Sequence, residues 1–456
     1  MAAGGAGWLF AALFAALLLG YPVALTLAGV ALLAALVGWW AGVFDPAFLS
    51  ALPNRVFGIM TNETLLAVPL FILMGVVLER ARLAEDLLHD AAALFRGLPG
   101  GMALAVVIVG ALLAASSGIV GTTVVTMGLL ALPVMLRRGY PASVAGGTIC
   151  AAGTLGQLIP PSIALVLLGD VLGNAYQEAQ LASGVFSPRA VSVGDLFAGA
   201  LLPGLLLVAL YIAFLLWRFK DGALAPPPPP GEPGHRWRHL WRLAGGPLLL
   251  MLAVLGSILG GIATPTEAAA VGAFGAVLLA ALRRRLSLGL IWQAAQRSVR
   301  ISSMVFMILI GAALFSLVFR GFGGDQEVRA ALTGLPGGEY GALLLVMAAV
   351  FVLGFALDFI EIIYVVVPIV GPPLMMLGVD PLWLGVLLAV NLQTSFLTPP
   401  FGFALFYLRG VAPPDFSSRA LYRGVAPFIA LQLALLLLLL FFPALATWLP
   451  GVLAGS

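Results

Sequence analysis

The sequence predicts an all-α polytopic membrane protein of about ten full spans, two re-entrant hairpins and two broken helices, arranged as inverted-topology repeats. Three observations carry this. The 456 residues are 62% hydrophobic and only 9% charged, with a mean hydropathy of +1.12, whereas soluble chains carry about 25% charged residues. Two long apolar runs are each interrupted by a double proline, Pro160-Pro161 and Pro399-Pro400. Short signatures around those prolines recur in one order at nearly one offset.

Composition also excludes several chemistries. Cys150 is the single cysteine, so neither an intrachain disulfide nor a cysteine metal cluster can form. His89, His235 and His239 all lie outside the apolar runs, which leaves no histidine for an intramembrane metal site or proton relay. The net charge of +3 comes almost wholly from arginine and carries no functional message. No Walker A pattern is present, and Ser117 has no intramembrane histidine to pair with, so neither ATP hydrolysis nor another enzymatic activity is expected. The N-terminus lacks the basic start and cleavage site of a signal peptide. The partner these runs demand is a lipid bilayer, not a nucleic acid.

In chain order, residues 1–60 supply scaffold spans near 8–20 and 22–40. The first repeat, 61–218, holds a span at 62–80, a hairpin at 101–136 centred on Ser116-Ser117-Gly118, a broken helix at 141–169 and a span at 195–218. Residues 219–240, with Pro226 to Pro230, read as a stiff cytoplasmic linker. Spans at 241–262 and 267–282 complete a central scaffold, 241–299. The second repeat, 300–456, has a span at 300–319, a hairpin at 340–376 with Asp358 between Gly354 and Glu361, a broken helix at 381–409 and a span at 421–447. Residues 81–96 and 285–299 are amphipathic and are expected along the inner membrane surface, and 171–194 form a polar outer loop. Several of these spans approach the ~20 residues a crossing needs. Reading each hairpin as two ordinary spans fits the same sequence.

Charge sets the orientation. With ten spans and both termini outside, eighteen lysines and arginines fall inside and four outside: Arg55, Arg189, Arg320 and Arg329. The duplication is read from Gly97-Leu-Pro-Gly-Gly101, which recurs as Gly334-Leu-Pro-Gly-Gly338 at an offset of 237. Pro133 matches Pro372, Gly139 matches Gly378 and Pro160-Pro161 matches Pro399-Pro400, each at 239. Five spans separate the two GLPGG runs, so the halves point oppositely, as in many secondary transporters.

A proline break inside a bilayer frees backbone carbonyls, and these survive only where protein or a wet cavity surrounds them. Each hairpin tip is expected to meet the break of its own half. The first set gathers Ser116, Ser117 and Gly118 with Gly153, Thr154, Gly156, Ile159 and Pro161; the second gathers Gly354 and Asp358 with Thr394, Ser395, Thr398 and Phe401. Freed carbonyls and hydroxyls suit a hard, weakly held cation, with Na⁺ the natural candidate. The bland reading is that Ser and Gly merely let helices pack closely. Asp358 and Glu361 are costly in the apolar phase and therefore functional candidates, although their spacing also fits a helix cap. Thr264-Pro-Thr-Glu267 reads as a capping box before an apolar helix, and Glu63 and Asp195 open apolar runs in the same manner. No arginine or lysine sits near the middle of a span, so an anionic solute is expected on helix N-termini, amides and hydroxyls near the breaks, with Thr122, Thr154, Ser162 and Asp358 as its contacts.

At this point the residues match a family. Gly261-Ile-Ala-Thr-Pro-Thr-Glu-Ala-Ala-Ala-Val-Gly272, the run Ser116 to Gly128, Ile159-Pro-Pro-Ser162 and Leu397-Thr-Pro-Pro-Phe-Gly402 resemble the large membrane subunit of tripartite ATP-independent periplasmic (TRAP) transporters, over essentially the whole chain. The resemblance implies Na⁺-driven uptake of a small organic anion, chiefly a carboxylate, across a bacterial inner membrane. It implies a periplasmic substrate-binding protein as donor, a small four-helix membrane subunit as brace, and an elevator motion. It places one Na⁺ at Ser117, Gly118, Gly156, Ile159 and Pro161, and a second at Ser395, Thr398 and Phe401 opposite Gly354 and Asp358. This chain departs from the pattern with Ser395 where relatives often have glycine, and with Ile119 where many have a hydroxyl. The alternative is a stand-alone Na⁺/di- or tricarboxylate symporter without a binding protein.

Overall fold

The computed structural model describes residues 6–95, 98–186, 190–220 and 236–455, and among these it is helical throughout, without a strand. The linker prolines Pro226 to Pro230, together with His235 and Arg189, lie outside the described residues. Among the described residues, seven helices are long and apolar enough to cross a bilayer alone, against the ten spans expected.

The chain opens with α1 (Gly7–Leu17) and α2 (Val23–Trp40). A helical stretch the sequence reading missed follows: a 3₁₀ turn (Pro46–Ala51) and α3 (Leu52–Met60), set at 55° to the helix after it. Asp45 caps that turn by accepting a bond from the Ala47 amide, and prolines at Pro46 and Pro53 suit helix starts. Next come α4 (Ala67–Arg80) and α5 (Leu83–Leu94). The side chain of the expected cap, Glu63, makes no capping bond there. Asn62 does the capping instead, its Oδ1 accepting from the amides of Thr64 and Leu65 at 2.9 and 3.3 Å.

The first hairpin is α6 (Gly101–Ser117) and α7 (Val120–Arg137). The first broken helix is α8 (Ala142–Thr154), a 3₁₀ turn (Leu155–Gln157), an irregular stretch and α9 (Ile163–Ala182). Since α9 runs on to Ala182, it takes up the first half of the expected outer loop 171–194. Then α10 (Val193–Phe219) starts in a capping box formed by Ser192 and Asp195. The helices α11 (Arg236–Leu259) and α12 (Pro265–Leu282) follow, the latter opened by the expected Thr264/Glu267 box. The next, α13 (Leu288–Gly321), is one helix of 34 residues, so the predicted surface helix 285–299 and the span 300–319 are continuous. At about 1.5 Å per residue it outruns a ~30 Å hydrocarbon core.

The second half continues with α14 (Gly324–Thr333) and α15 (Gly338–Leu353). The second hairpin arm comprises α16 (Phe359–Glu361), a π-helical turn (Ile362–Val366) and α17 (Val367–Met376). Both second arms, Val120–Arg137 and Phe359–Met376, have 18 residues and are long enough to cross, which departs from the expected pair of short arms. The second broken helix is α18 (Pro381–Leu397) and α19 (Phe403–Val411). The predicted span 421–447 is split at Pro443 into α20 (Ser418–Phe441) and α21 (Ala444–Ala454).

Two sets of helix contacts stand out, and they are joined where α6 packs on α4 and α5. In one, α12 lies on α4, α13 on α2 and α4, and α11 on α12 and α5. In the other, α8 packs against α6, α7 and α20, while α18 packs against α15, α9, α10 and α20. The halves exchange elements in this second group: α7 packs on α19, and α17 packs on α9. Shifting residue numbers by 239 carries the first of these contacts onto the second.

Candidate functional site

The site is built where α8 and α18 lose their helical ladders. Pro160 and Pro399 supply no backbone donor, and both Pro-Pro bonds are cis. Among the described residues no hydrogen bond reaches the carbonyls of Ile159, Pro160 and Pro161, nor those of Pro399, Pro400 and Phe401. The first break is sealed by protein: Gly156, Pro160, Pro161 and Ser162 are all buried. Free acceptors therefore stand in a low-dielectric setting, where each is costly unless a cation or a donor meets it.

Each hairpin tip meets the break of its own half. Gly118 sits between α6 and α7 with φ of 61°, a left-handed conformation that favours glycine, and a Cβ there would stand 3.0 Å from the Ile163 amide nitrogen. Ile163 is the first residue after the first break. Gly354, which ends α15, packs so closely on α18 that a Cβ would strike Ser395 Oγ. Ser116 and Ser117 end α6, and their side chains lie outside the described residues. Gly153 belongs to α8 itself and packs on Val124 of α7.

Hydroxyl direction separates cation ligands from anion ligands. Thr394 Oγ1 donates to Val390 O at 2.7 Å, Ser395 Oγ to Leu392 O at 2.8 Å and Thr398 Oγ1 to Thr394 O at 2.7 Å. Each hydrogen is spent on the preceding turn, so each oxygen offers only lone pairs outward. Thr154 and Ser162 behave alike, donating to Ala151 O at 2.9 Å and Gln157 O at 3.0 Å. Both are fully buried. As contacts for an anionic solute they are misplaced: they face no open surface and have no proton to give. Thr122 is half-buried in α7.

Asp358 and Glu361 form the capping box their spacing suggested. Asp358 Oδ1 accepts from the Phe359 amide at 2.8 Å, and Glu361 Oε2 accepts from the Asp358 amide at 3.1 Å. Phe401 presents its ring outward, 55% exposed, beside the second break.

Three features escaped sequence reasoning. Thr154 and Gln393, 239 residues apart, are bonded to each other, Gln393 Nε2 donating to Thr154 Oγ1 at 3.4 Å. Gln432 Nε2 reaches the same hydroxyl at 3.4 Å and Tyr211 OH at 2.7 Å, tying α8, α18, α20 and α10 into one buried polar node. Tyr407 of α19 packs its ring on Gly121 of the first hairpin and lies in the field of Asp358 in the second. Finally, a cleft of about 510 Å³ opens between the two helix groups, walled by α3 and α13 on one side and by α9 and the π turn on the other. Arg55, Arg320, Asp170, Glu178 and Tyr364 line it. Glu178 of α9 and Arg320 of α13 pair across it at 3.1 Å, and Asn62 Nδ2 donates to Asp170 Oδ1 at 2.8 Å. The π turn brings Tyr364 to this wall; such turns are frequent at functional sites.

The chain has sequence and structural relatives. It is 32% identical over 445 residues to the isethionate TRAP transporter permease protein DctMQ of Oleidesulfovibrio alaskensis, covering 95% of this chain and 65% of that protein. It is 32% identical over 417 residues to the C4-dicarboxylate TRAP transporter large permease protein DctM of Pseudomonas aeruginosa, covering 91% and 92% of the two chains. In fold it is similar to the YdaH transporter of Alcanivorax borkumensis, with a TM-score of 0.60 at 16% identity over 87% of this chain and 88% of that one. Residues 10–445 match the family described as tripartite ATP-independent periplasmic transporter, DctM component. The chain therefore belongs to the DctM component family of the tripartite ATP-independent periplasmic transporters, whose relatives named here are transporter permeases.

Proposed function

We propose that the chain performs Na⁺-driven uptake of a small organic anion across a bacterial inner membrane. A periplasmic substrate-binding protein delivers the solute, and a small four-helix membrane subunit braces the scaffold. The observation that carries this reading is the pairing of each glycine tip with a proline break whose carbonyls accept no bond. Hydroxyls that present only lone pairs support a cation there rather than the anion. One Na⁺ is held by carbonyls near Gly156 and Ile159 below Gly118. The other is held near Ser395, Thr398 and Phe401 below Gly354.

The two helix groups suit an elevator. The group containing both breaks slides against α2, α4, α12 and α13, and the cleft between the groups opens and closes with it. The exchange of α7–α19 for α17–α9 supports two inverted repeats related by a pseudo-two-fold axis near the Thr154–Gln393 contact. The orientation has both termini periplasmic. Arg285 and Arg297 bind Asp86 and Glu79 at one end of the scaffold, 2.9 and 3.1 Å away, while Arg55 and Arg320 line the cleft with Glu178. The first set matches the positive inner face and the cleft opens outward.

Thr398→Val tests the second ion site. The variant loses an oxygen ligand and the 2.7 Å bond to Thr394 O. Apparent Na⁺ affinity in proteoliposome uptake, with the binding protein supplied, is expected to fall about tenfold, or about 1.4 kcal/mol. Unchanged Na⁺ dependence with normal assembly argues against a ligand at Thr398.

A further inference from the structure

Resting on the transporter reading above, we propose that Arg55 receives the anionic group of the solute. The solute class that fits is a small molecule with one anionic group and an uncharged polar end, not a dianion. A cleft of about 510 Å³ has the volume of a small-molecule site. Two guanidinium groups line it, and they are not equivalent. Arg320 is committed: its Nη2 lies 3.1 Å from Glu178 and its Nε 3.0 Å from Asp325. Arg55, in α3 on the same wall, is half-buried and, among the described residues, makes no hydrogen bond or ion pair. Only the longer-range fields of Arg320, Asp325 and Glu178 reach it.

An arginine partly withdrawn from water with all five donors unspent is an unfilled bidentate anion receptor. The bland reading is a side chain snorkelling toward the surface. That reading does not account for a position facing a cavity whose other cation is already neutralised twice. The charge balance then sets the solute class. One open cation satisfies one carboxylate or sulfonate. A second anionic group would find no cation, and would instead face Asp170, held by Asn62, and Glu178, held by Arg320. Like charges so placed discriminate strongly against the wrong ligand. The hydroxyl of Tyr364 and the amide of Asn174, on the same lining, suit an uncharged polar end.

The test uses the full chain in detergent and reads the thermal unfolding midpoint with isethionate, a hydroxy-sulfonate monoanion, and succinate, a dianion, each in Na⁺ and in choline buffers. Isethionate is expected to raise the midpoint more than succinate in Na⁺. R55Q is expected to weaken the apparent isethionate affinity at least about tenfold, with R55K restoring part of it and both unliganded variants melting near the native chain. Equal responses of R55Q and the native chain, a larger response to succinate, or no response to either solute overturns the assignment. An isethionate shift that persists in choline yet vanishes in R55Q keeps Arg55 and instead overturns Na⁺ coupling. A Na⁺-dependent shift untouched by R55Q does the reverse.

Discussion

Gly424→Leu is expected to leave little folded protein in the membrane. Helices α8 and α20 meet backbone to backbone: a Cβ on Gly424 would collide with Ser143 O, and one on Gly147 would collide with Gly424 O. Both obstacles are main-chain atoms inside helices, so no rotamer change relieves them. Membrane helices rely on such close approach because lipid supplies no hydrophobic drive for association. Even Gly424→Ala should lose about 1–3 kcal/mol by overpacking, and the leucine side chain adds three more carbons to the same space. Because α8 also carries the first break, separation of α8 from α20 removes the site with the fold. Size-exclusion profiles and thermal midpoints of solubilised protein read the effect. Gly451→Leu in α21 is the control, since a Cβ there meets nothing within 4 Å. A Gly424→Leu variant as monodisperse and heat-stable as this control contradicts the α8–α20 packing.

Gly354→Ala is expected to cost at least about tenfold in uptake, equivalent to about 1.4 kcal/mol of lost function, without loss of folded protein. The new methyl group lands on Ser395 Oγ and lies 2.9 Å from Ser395 Cβ. Relief requires the hairpin tip to back away from α18 or Ser395 to abandon its 2.8 Å bond to Leu392 O. Either change enlarges the second ion site, and ligand geometry tolerates little displacement. The partner substitution makes the test sharp. Ser395→Gly removes both atoms the methyl group strikes, leaving Val350 O at 3.4 Å as the next neighbour, an ordinary contact. The double variant Gly354→Ala/Ser395→Gly should therefore recover part of the Na⁺-dependent uptake that the single variant lacks, the remainder being lost with the Ser395 hydroxyl. Equal loss in both means that Gly354 acts through something other than its contact with Ser395.

The features legible in the sequence share a short range. The capping boxes at Thr264/Glu267 and Asp358/Glu361 formed as read, because a cap is decided by residues three positions apart. The breaks at Pro160 and Pro399 were equally local, since a missing amide cannot be replaced by any distant contact. Each tip was expected beside the break of its own half, and Gly118 lies against Ile163 and Gly354 against Ser395. Helix boundaries were less secure. The run 171–194 looked like a loop from its polar residues, yet α9 continues into it as far as Ala182 because Ala175 and Ala179 bury one face there.

What only the tertiary structure decided depends on groups far apart in the chain. Asn62 rather than Glu63 caps the turn before α4, while its amide reaches Asp170, 108 residues on. Thr154 and Ser162 read as solute contacts from composition, but packing buried them and turned their hydroxyls inward. Gln393 and Gln432 gave no pattern until four helices converged on Thr154. Arg55 and Arg320 looked alike as outer charges, and only the assembled cleft neutralises one and leaves the other open. Local stereochemistry thus determined that this chain is a helical membrane protein with two broken helices. The identity of the side chains facing the solute was decided by packing, because a charge has meaning only once its neighbours are in place.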